Sequence, residues 1–319
     1  MLLYSTLISQ WRYSFVTEKL TATLQIAERI YSLAQKQDDP APIMAACTAL
    51  AATHCYLGVD FETARQYALR GVEIWRSGRV QTLIEETMAS PVVSLTYKAL
   101  SEWYLGETAS SQASRAEAIS VAKDLNDMSS LAWALYLAGI LARFERDLAE
   151  VERLVSELIE MCTRYNFAFW LPGATVLRGW AHNVSGDTPE GISLIEQGVE
   201  DYRATGSIAG LPMWLALKAE ALYLAGRTSE ALETTREAEE LAERFEVGWW
   251  YAELRRLRGV FLAATGANEP QIETSFCEAI KIARDQKAFS VEKRAEVSYA
   301  EYCRQKAGAL GGQEIRLPL

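Results

Sequence analysis

The chain carries turn-like positions that recur every 40 residues over most of its length. A regular period of this size is typical of helical arrays, in which each unit covers the open face of its neighbour and adds its own layer of core. Two further turns precede the regular series at slightly longer steps. In chain order the turn positions are Thr17, Gly58, Gly106, Arg146–Asp147, Gly186, Gly226 and Gly266.

Small residues occupy two fixed positions relative to these turns. About five residues after each turn the chain has mostly small side chains, among them Ala22, Thr63-Ala64, Ser111, Gly191 and Ala231. Seven residues before each turn, six of the seven positions are glycine or alanine: Gln10, Ala51, Ala99, Gly139, Gly179, Ala219 and Gly259. Two helices approach closely only where side chains leave room, so the pattern predicts a close-packed helix pair around each turn.

Forty residues accommodate two helices of about 15–17 residues and two short turns. Leu171-Pro172 and Leu211-Pro212 share one position, and proline is well tolerated at the start of a helix. Apolar residues follow a helical period, and no segment alternates as a strand would. We therefore predict an all-α superhelix of about seven helix pairs over residues 1–307, with a flexible tail at 308–319.

The predicted first helices span about 2–15, 42–57, 92–105, 129–144, 169–184, 211–225 and 249–265. Their partners span about 18–36, 60–76, 108–125, 148–165, 188–204, 228–245 and 270–286. A last helix at about 289–306 is expected to cap the stack, and a longer loop is expected between Arg76 and Pro91.

Composition excludes several classes of function. The 32 basic and 42 acidic residues give a net charge of −10, which disfavours binding to nucleic acids or anionic membranes. The longest apolar run, residues 131–141, is shorter than the roughly 18 residues of a membrane span. Five cysteines without a CxxC pair favour reduced thiols, and the start of the chain lacks the basic region of a signal peptide. A cytoplasmic location is the resulting expectation.

The spacing of small residues around each turn resembles the tetratricopeptide (TPR) signature, although the unit exceeds the usual length of about 34 residues. Long units of this kind are similar to the C-terminal solenoids of bacterial adenylate/guanylate cyclase–ATPase and related NTPase regulators. The stretches LRGWAHNVSGDTPEGISLIEQGVEDYRATGS, LPMWLALKAEALYLAGRTSEALETTREAEELAER and WWYAELRRLRGVFLAATGA carry this resemblance. The resemblance extends over most of residues 1–300 and implies a right-handed α-α superhelix with a signalling role. Because Met1 falls inside a repeat and the last unit lacks its second helix, a fragment, a split gene or a stand-alone descendant are all compatible with it.

Motifs for catalysis are missing from the sequence. It contains no Gly-x4-Gly-Lys-Ser/Thr loop for phosphates and no GxGxxG. Its two histidines, His54 and His182, lie three units apart, so they are not expected to share a metal. We predict a protein that is not an enzyme and that has no cofactor.

Aromatic residues mark the expected binding surface, because the first helices of a TPR stack line its concave side. Positions 13, 10, 6, 3 and 2 before each turn share one helical face. On consecutive first helices this face is rich in large rings, with a few polar side chains among them. The predicted peptide- or partner-binding residues are Trp103, Trp133, Tyr136, Arg143, Trp180, Asn183, Glu220, Tyr223 and Arg256.

An aromatic groove with few polar groups suits a peptide or protein segment better than a charged ligand. The hypothesis is a scaffold that binds a protein or peptide and relays a signal to an NTPase or cyclase module, in cis or in trans. Two alternatives remain open from the sequence. One is a sensor for an apolar or aromatic small molecule, and the other is a structural oligomerisation arm.

Overall fold

The computed structural model describes residues 2–37, 39–78, 80, 91–308, 315 and 317–319. Within them the chain forms helices joined by short turns, and these residues include no strand. The all-α class is therefore confirmed, and every predicted helix end lies within two residues of the observed one. Most of the loop predicted at 76–91 falls outside the described residues.

The helices alternate between an inner and an outer layer, and all but the last form consecutive antiparallel pairs. In chain order they are α1 (Leu2–Thr17), α2 (Leu20–Gln37), α3 (Pro40–Leu57), α4 (Phe61–Arg76), α5 (Pro91–Tyr104), α6 (Thr108–Asp124), α7 (Met128–Phe144), α8 (Leu148–Tyr165), α9 (Leu171–Val184), α10 (Thr188–Ala204), α11 (Leu211–Leu224), α12 (Thr228–Phe245), α13 (Tyr251–Ala264), α14 (Glu269–Asp285) and α15 (Phe289–Gly308).

The predicted turns end the inner helices in left-handed backbone. Five of them are glycines with positive φ, which glycine adopts without strain: Gly58, Gly106, Gly186, Gly226 and Gly266. Arg146 takes the same conformation at φ 58°, so the Arg146–Asp147 pair is a genuine member of the series. The first predicted turn differs, because Thr17 is the last residue of α1.

Small residues bring the paired helices into contact, as predicted. A Cβ atom added to Gly179 of α9 would lie 2.6 Å from the carbonyl oxygen of Gly191 in α10. The reciprocal Cβ on Gly191 would lie 2.7 Å from the carbonyl oxygen of Gly179. In the next unit Ala219 and Ala231 hold the same two positions and are fully buried. Only small side chains at these positions allow the two helices of a pair to approach so closely.

The inner layer consists of the odd-numbered helices, each of which packs on the next one along the stack, as α5 does on α7 and α9 does on α11. The outer helices show their charged side to solvent. Glu233, Glu240 and Glu243 of α12 are exposed there, as the charged stripe in the sequence suggests. No described helix combines the length and apolar character that crossing a lipid bilayer requires.

Candidate functional site

The superhelix closes on itself, so that its second superhelical turn contacts its first superhelical turn. The carbonyl oxygen of Tyr56, at the end of α3, accepts hydrogen bonds from the backbone N–H groups of Gly248 (2.9 Å) and Trp249 (3.2 Å). The carbonyl oxygen of Val16, at the end of α1, accepts one from Ile208 at 2.8 Å. These inner helices therefore end against the loops that precede α13 and α11. We call this line of contacts the seam.

The seam continues at the end of α5 with the same offset of about five helix pairs. The hydroxyl of Tyr104 donates to the carbonyl oxygen of Trp249 at 2.8 Å, and the Ser290 hydroxyl donates to that of Trp103 at 2.6 Å. A Cβ atom on Gly248 would lie 2.1 Å from the carbonyl oxygen of Leu57. Backbone therefore meets backbone at this point of the seam.

Most of the predicted binding residues are consequently buried. Trp103, Tyr136, Arg143, Trp180, Asn183, Glu220 and Arg256 are each at most 6% exposed, and Trp133 and Tyr223 are half-buried. The expectation of an open aromatic groove is therefore not met in this closed form, because the second turn covers the surface that would line it. A role for these nine residues in binding a partner stays a prediction.

Three of the predicted aromatic residues contact neighbouring inner helices: Trp133 and Tyr136 in the first half of α7, and Trp103 near the end of α5. Trp133 and Tyr136 stack with ring centroids 6.0 Å apart, and the Trp133 indole N–H donates to the Thr96 hydroxyl at 2.8 Å. Tyr136 also meets Trp214 of α11 edge to face at 6.0 Å. The ring centroid of Trp103, on α5, lies 4.6 Å from that of Phe144 at the end of α7. Rings from different inner helices thus pack together in the interior, but these contacts are made to Phe144 and Trp214, which are not among the predicted site residues.

The predicted polar residues form a buried ionic centre. Arg143 of α7 pairs with Glu220 of α11, and its guanidinium carbon lies 5.9 Å from the Trp180 ring centroid. Arg256 binds both carboxylate oxygens of Glu253, at 3.0 and 2.8 Å. Four inner helices, α7, α9, α11 and α13, therefore bring charges and aromatic faces to one place, although only three of these charged residues were predicted.

Asn183 and Tyr223 remain at the edge of this arrangement. Asn183 is 5% exposed, and its Oδ1 has no hydrogen-bond partner among the described residues. The Tyr223 hydroxyl donates to the carbonyl oxygen of Leu317 at 3.1 Å, and Leu317 is itself 3% exposed. The segment 308–319 was expected to be a flexible tail. Gly308 is the last residue of α15 and Leu317 is packed, while residues 309–314 and 316 lie outside the described part of the chain, so the flexible tail stays a prediction.

Sequence reasoning missed the residues that the second turn contributes. Trp249 and Trp250 precede α13, outside the positions assigned to the inner face, and Phe144 stacks on Trp250 at 4.8 Å. Arg294 lies on α15, which the sequence presented as a cap. Its guanidinium reaches the Phe144 carbonyl at 2.8 Å and Glu253 at 3.1 Å. The one available signal was the recurrence of tryptophan at 170 and 250, which share a position in the repeat.

Among the described residues, no group of three or more histidine, cysteine, aspartate or glutamate side chains is placed to hold a metal ion. His54 packs against Tyr67 with ring centroids 5.8 Å apart, and burial lowers its pKa. It therefore behaves as a packing residue.

No model of a known protein family matches the chain. A sequence relative is an uncharacterized protein of Rhizobium meliloti (strain 1021), which is 26% identical over 259 residues. That match covers 79% of this chain but 25% of the relative, so the chain spans about a quarter of the length of the curated relative it matches.

Solved structures share the fold. A Rap protein complexed with Competence and Sporulation Factor superposes with a TM-score of 0.67 at 10% identity, covering 97% of this chain and 84% of its own. A Rap conjugation gene regulator in complex with the Phr* peptide gives 0.56 at 12% identity, covering 98% and 99%. Aspartyl phosphate phosphatase F from Bacillus subtilis gives 0.51 at 12% identity, covering 91% and 78%. The chain is thus a TPR-like helical-repeat solenoid resembling the Rap structures.

Proposed function

We propose that the chain is a non-catalytic scaffold that binds a peptide, or a short segment of a protein, on the inner side of its superhelix. Its place would be in a bacterial signalling system, as a sensor or relay module. An NTPase or cyclase module, in cis or in trans, is the part of this proposal that rests on sequence resemblance alone.

The observation that carries the proposal is the contact between Tyr223 and the end of the chain. Residues 317–319 are not helical, and Leu317 is buried against the solenoid while its carbonyl oxygen accepts the Tyr223 hydroxyl. Ile315 and Leu319 also pack against the core. This side of the solenoid therefore binds an irregular apolar segment through a main-chain hydrogen bond, which is how a peptide ligand is recognised.

The similar folds support the same reading. Two of the Rap structures are complexes, one with Competence and Sporulation Factor and one with the Phr* peptide. At 10–12% identity the likeness concerns the fold, so the binding residues of this chain are argued from its own contacts.

The closed seam implies that binding and conformation are coupled. A ligand that requires the buried aromatic surface must displace seam contacts, whereas one that replaces residues 315–319 needs only to compete with the tail. Either way the ligand shifts the balance between two forms by its differential affinity for them. Such a shift is what a sensor or relay module needs.

Selection of heptapeptides from a displayed library against the full chain tests the proposal, with affinities then measured by fluorescence anisotropy on synthetic peptides. We expect Tyr223→Ala to weaken binding about thirtyfold, since truncating an anchor residue costs about 2 kcal/mol. Tyr13→Ala is the matched control, because Tyr13 is 66% exposed on another helix.

Equal affinities for the two variants, or no selectable peptide at all, would contradict the proposal. The Leu317→Ala variant tests the converse. It weakens the packing of the chain's own segment at the proposed site, so we expect an added peptide to bind more tightly. Circular dichroism on each variant separates a lost contact from a lost fold.

A further inference from the structure

Arginine side chains from three inner helices meet two glutamates in the interior. We call this group the arginine cluster: Arg143 of α7, Glu220 of α11, Glu253 and Arg256 of α13, and Arg294 of α15. Arg143, Glu220, Glu253 and Arg256 are at most 3% exposed, and the Arg294 side chain is 20% exposed. The cluster lies under the seam, where Trp103, Trp180 and Trp250 cover the guanidinium faces.

Glu253 is fully engaged within the cluster. Arg256 binds it through two nitrogens, and Arg294 donates to its Oε1 at 3.1 Å. Burial alone would raise the pKa of Glu253, but the charges of Arg256 and Arg294 outweigh burial and hold its pKa well below the ordinary range. Its single negative charge is therefore shared between two arginines.

Arg143 is less completely satisfied. One terminal nitrogen bonds Glu220, while the buried Nε has no acceptor among the described residues. The guanidinium lies between Trp180 and Trp250, with its carbon 5.9 and 5.5 Å from their ring centroids. Three arginines thus face two glutamates, which leaves one positive charge in excess within the cluster.

Arg146 adds another positive charge at the rim of the cluster. The residue is exposed at the turn after α7, where its backbone N–H donates to the Arg143 carbonyl oxygen at 3.0 Å. Burial of the Arg146 guanidinium lowers its pKa first, and the nearby Arg143, Arg294 and Arg256 lower it further against the opposing effect of Glu220.

Nearby carboxylates are committed elsewhere. Glu145 pairs with Arg115 of α6 at 3.2 Å, and Asp147 caps α8 by accepting the Glu150 N–H at 3.1 Å. Neither side chain forms an ion pair with an arginine of the cluster, so the three arginines and two glutamates in contact there keep an excess of one positive charge.

Unmatched charge under a protein surface is costly, and an incoming anion removes that cost. We propose that the arginine cluster, entered past Arg146, is a binding site for the carboxylate group of a ligand. Carboxylate fits because the planar guanidinium fork binds it through two parallel hydrogen bonds, and because the excess is small. The flanking tryptophans supply apolar contact for the carbon chain that carries the acid. This inference rests on the proposed function, since it identifies the anchor of the bound peptide as an acidic side chain or a free chain end.

A titration of the full chain with succinate, at constant ionic strength, tests the site through its tryptophan fluorescence. We expect a saturable change with succinate and none with succinamide, its uncharged analogue. Arg146→Asn should weaken succinate binding about tenfold by removing one charge-assisted contact. Asparagine tolerates the left-handed backbone at this turn, so the fold is retained.

A second variant removes the inner partner without stranding a charge. The double substitution Arg143→Met with Glu220→Met deletes both members of one ion pair, and we expect it to weaken succinate binding as strongly. Tighter binding of inorganic phosphate than of succinate would overturn the assignment to carboxylates. Binding that is unaffected by both variants, or no saturation up to about 10 mM, would overturn the site itself.

The peptide selection separates this inference from the proposed function. For selected peptides, affinities are compared among free-acid, amidated and Asp/Glu-to-amide forms. Peptides whose affinity ignores all carboxylates leave the proposed function standing and refute the carboxylate anchor. Succinate binding that depends on Arg146, with no selectable peptide, would support the carboxylate site and refute the proposed function. Loss on amidation alone assigns the anchor to the chain end, and loss on side-chain replacement alone assigns it to an acidic residue.

Discussion

The inner helices of the first half end in a different environment from those of the second half. The helices α1, α3, α5 and α7 end beneath the second superhelical turn, whereas Val184 and Leu224, the last residues of α9 and α11, are exposed. The residue two positions before each helix-ending turn shows this difference. Beneath the second superhelical turn these residues are Phe15 (9% exposed), Tyr56 (6%), Tyr104 (0%) and Phe144 (2%). At the exposed helix ends they are Val184 (45%) and Leu224 (52%).

All six residues hold the same place in the same kind of helix, so local structure cannot explain the contrast. What differs is the presence of a loop three to five helix pairs further along the chain. Large aromatic side chains occur where such a loop covers the helix end, and aliphatic ones occur at the exposed helix ends. The repeats are thus equivalent as units but not as parts of the closed superhelix.

Truncating one side chain at a covered helix end and one at an exposed helix end should give the largest difference. Tyr104 is fully buried, stacks on Phe61 at 4.0 Å and donates to the Trp249 carbonyl. We expect Tyr104→Ala to lower the free energy of unfolding by about 3–5 kcal/mol. Leu224→Ala should lower it by less than about 1 kcal/mol. Urea denaturation followed by circular dichroism measures both, and equal losses would mean that the ends are not differently covered in solution.

Adding one methyl group at the seam should give an intermediate effect. Gly248→Ala places a Cβ atom against the Leu57 carbonyl, so the two turns must separate or shift, at a cost of about 1–3 kcal/mol. Gly308→Ala is the control, since nothing lies within 4 Å of a Cβ there. A lower melting temperature for the first variant only, with a larger radius of gyration in small-angle X-ray scattering, is the expected result. Unchanged values for both would argue against a closed seam.

The smallest expected effect concerns an ionic contact at the edge of the seam. Glu246 accepts from the Thr21 hydroxyl (2.5 Å) and N–H (3.1 Å), with Lys19 at 3.6 Å, and the Thr21 hydroxyl is the main cause of its lowered pKa. Folding therefore favours the ionised carboxylate. Its contribution is present above the ordinary pKa of 4.5 and is lost as the pH falls through the folded-state value.

We expect Glu246→Gln to cost less than about 1 kcal/mol at neutral pH, and the difference from the native chain to shrink below about pH 4.5. The same substitution in the Gly248→Ala background should have almost no effect, because Thr21 and Glu246 are then separated. A difference in unfolding free energy that does not change with pH would contradict a role for the ionised carboxylate. The same difference in both backgrounds would mean that the contact does not depend on the seam.

The fold was largely predictable from local patterns, whereas the site was predictable only in part. Turn residues such as Gly186, and small pairs such as Gly179 with Gly191, act within one unit of 40 residues, so they appear directly in the sequence. The inner face was also identified, which is why Arg143, Trp180, Glu220 and Arg256 were named together and do lie together. Their burial, and the part played by Arg294 and Trp250, could not be inferred because those residues come from the next turn.

The sequence by itself determined the helices, their pairing and the face that each inner helix turns inward. These properties depend on backbone propensity and on contacts between neighbours a few residues or one unit apart. Only the tertiary structure decided that the interior is closed and that Tyr56 meets Trp249 across about 190 residues. A contact at that range depends on the rotation and rise of each unit summed over five units. A few degrees per unit, which no residue pattern specifies, separate an open groove from a seam in which two turns touch.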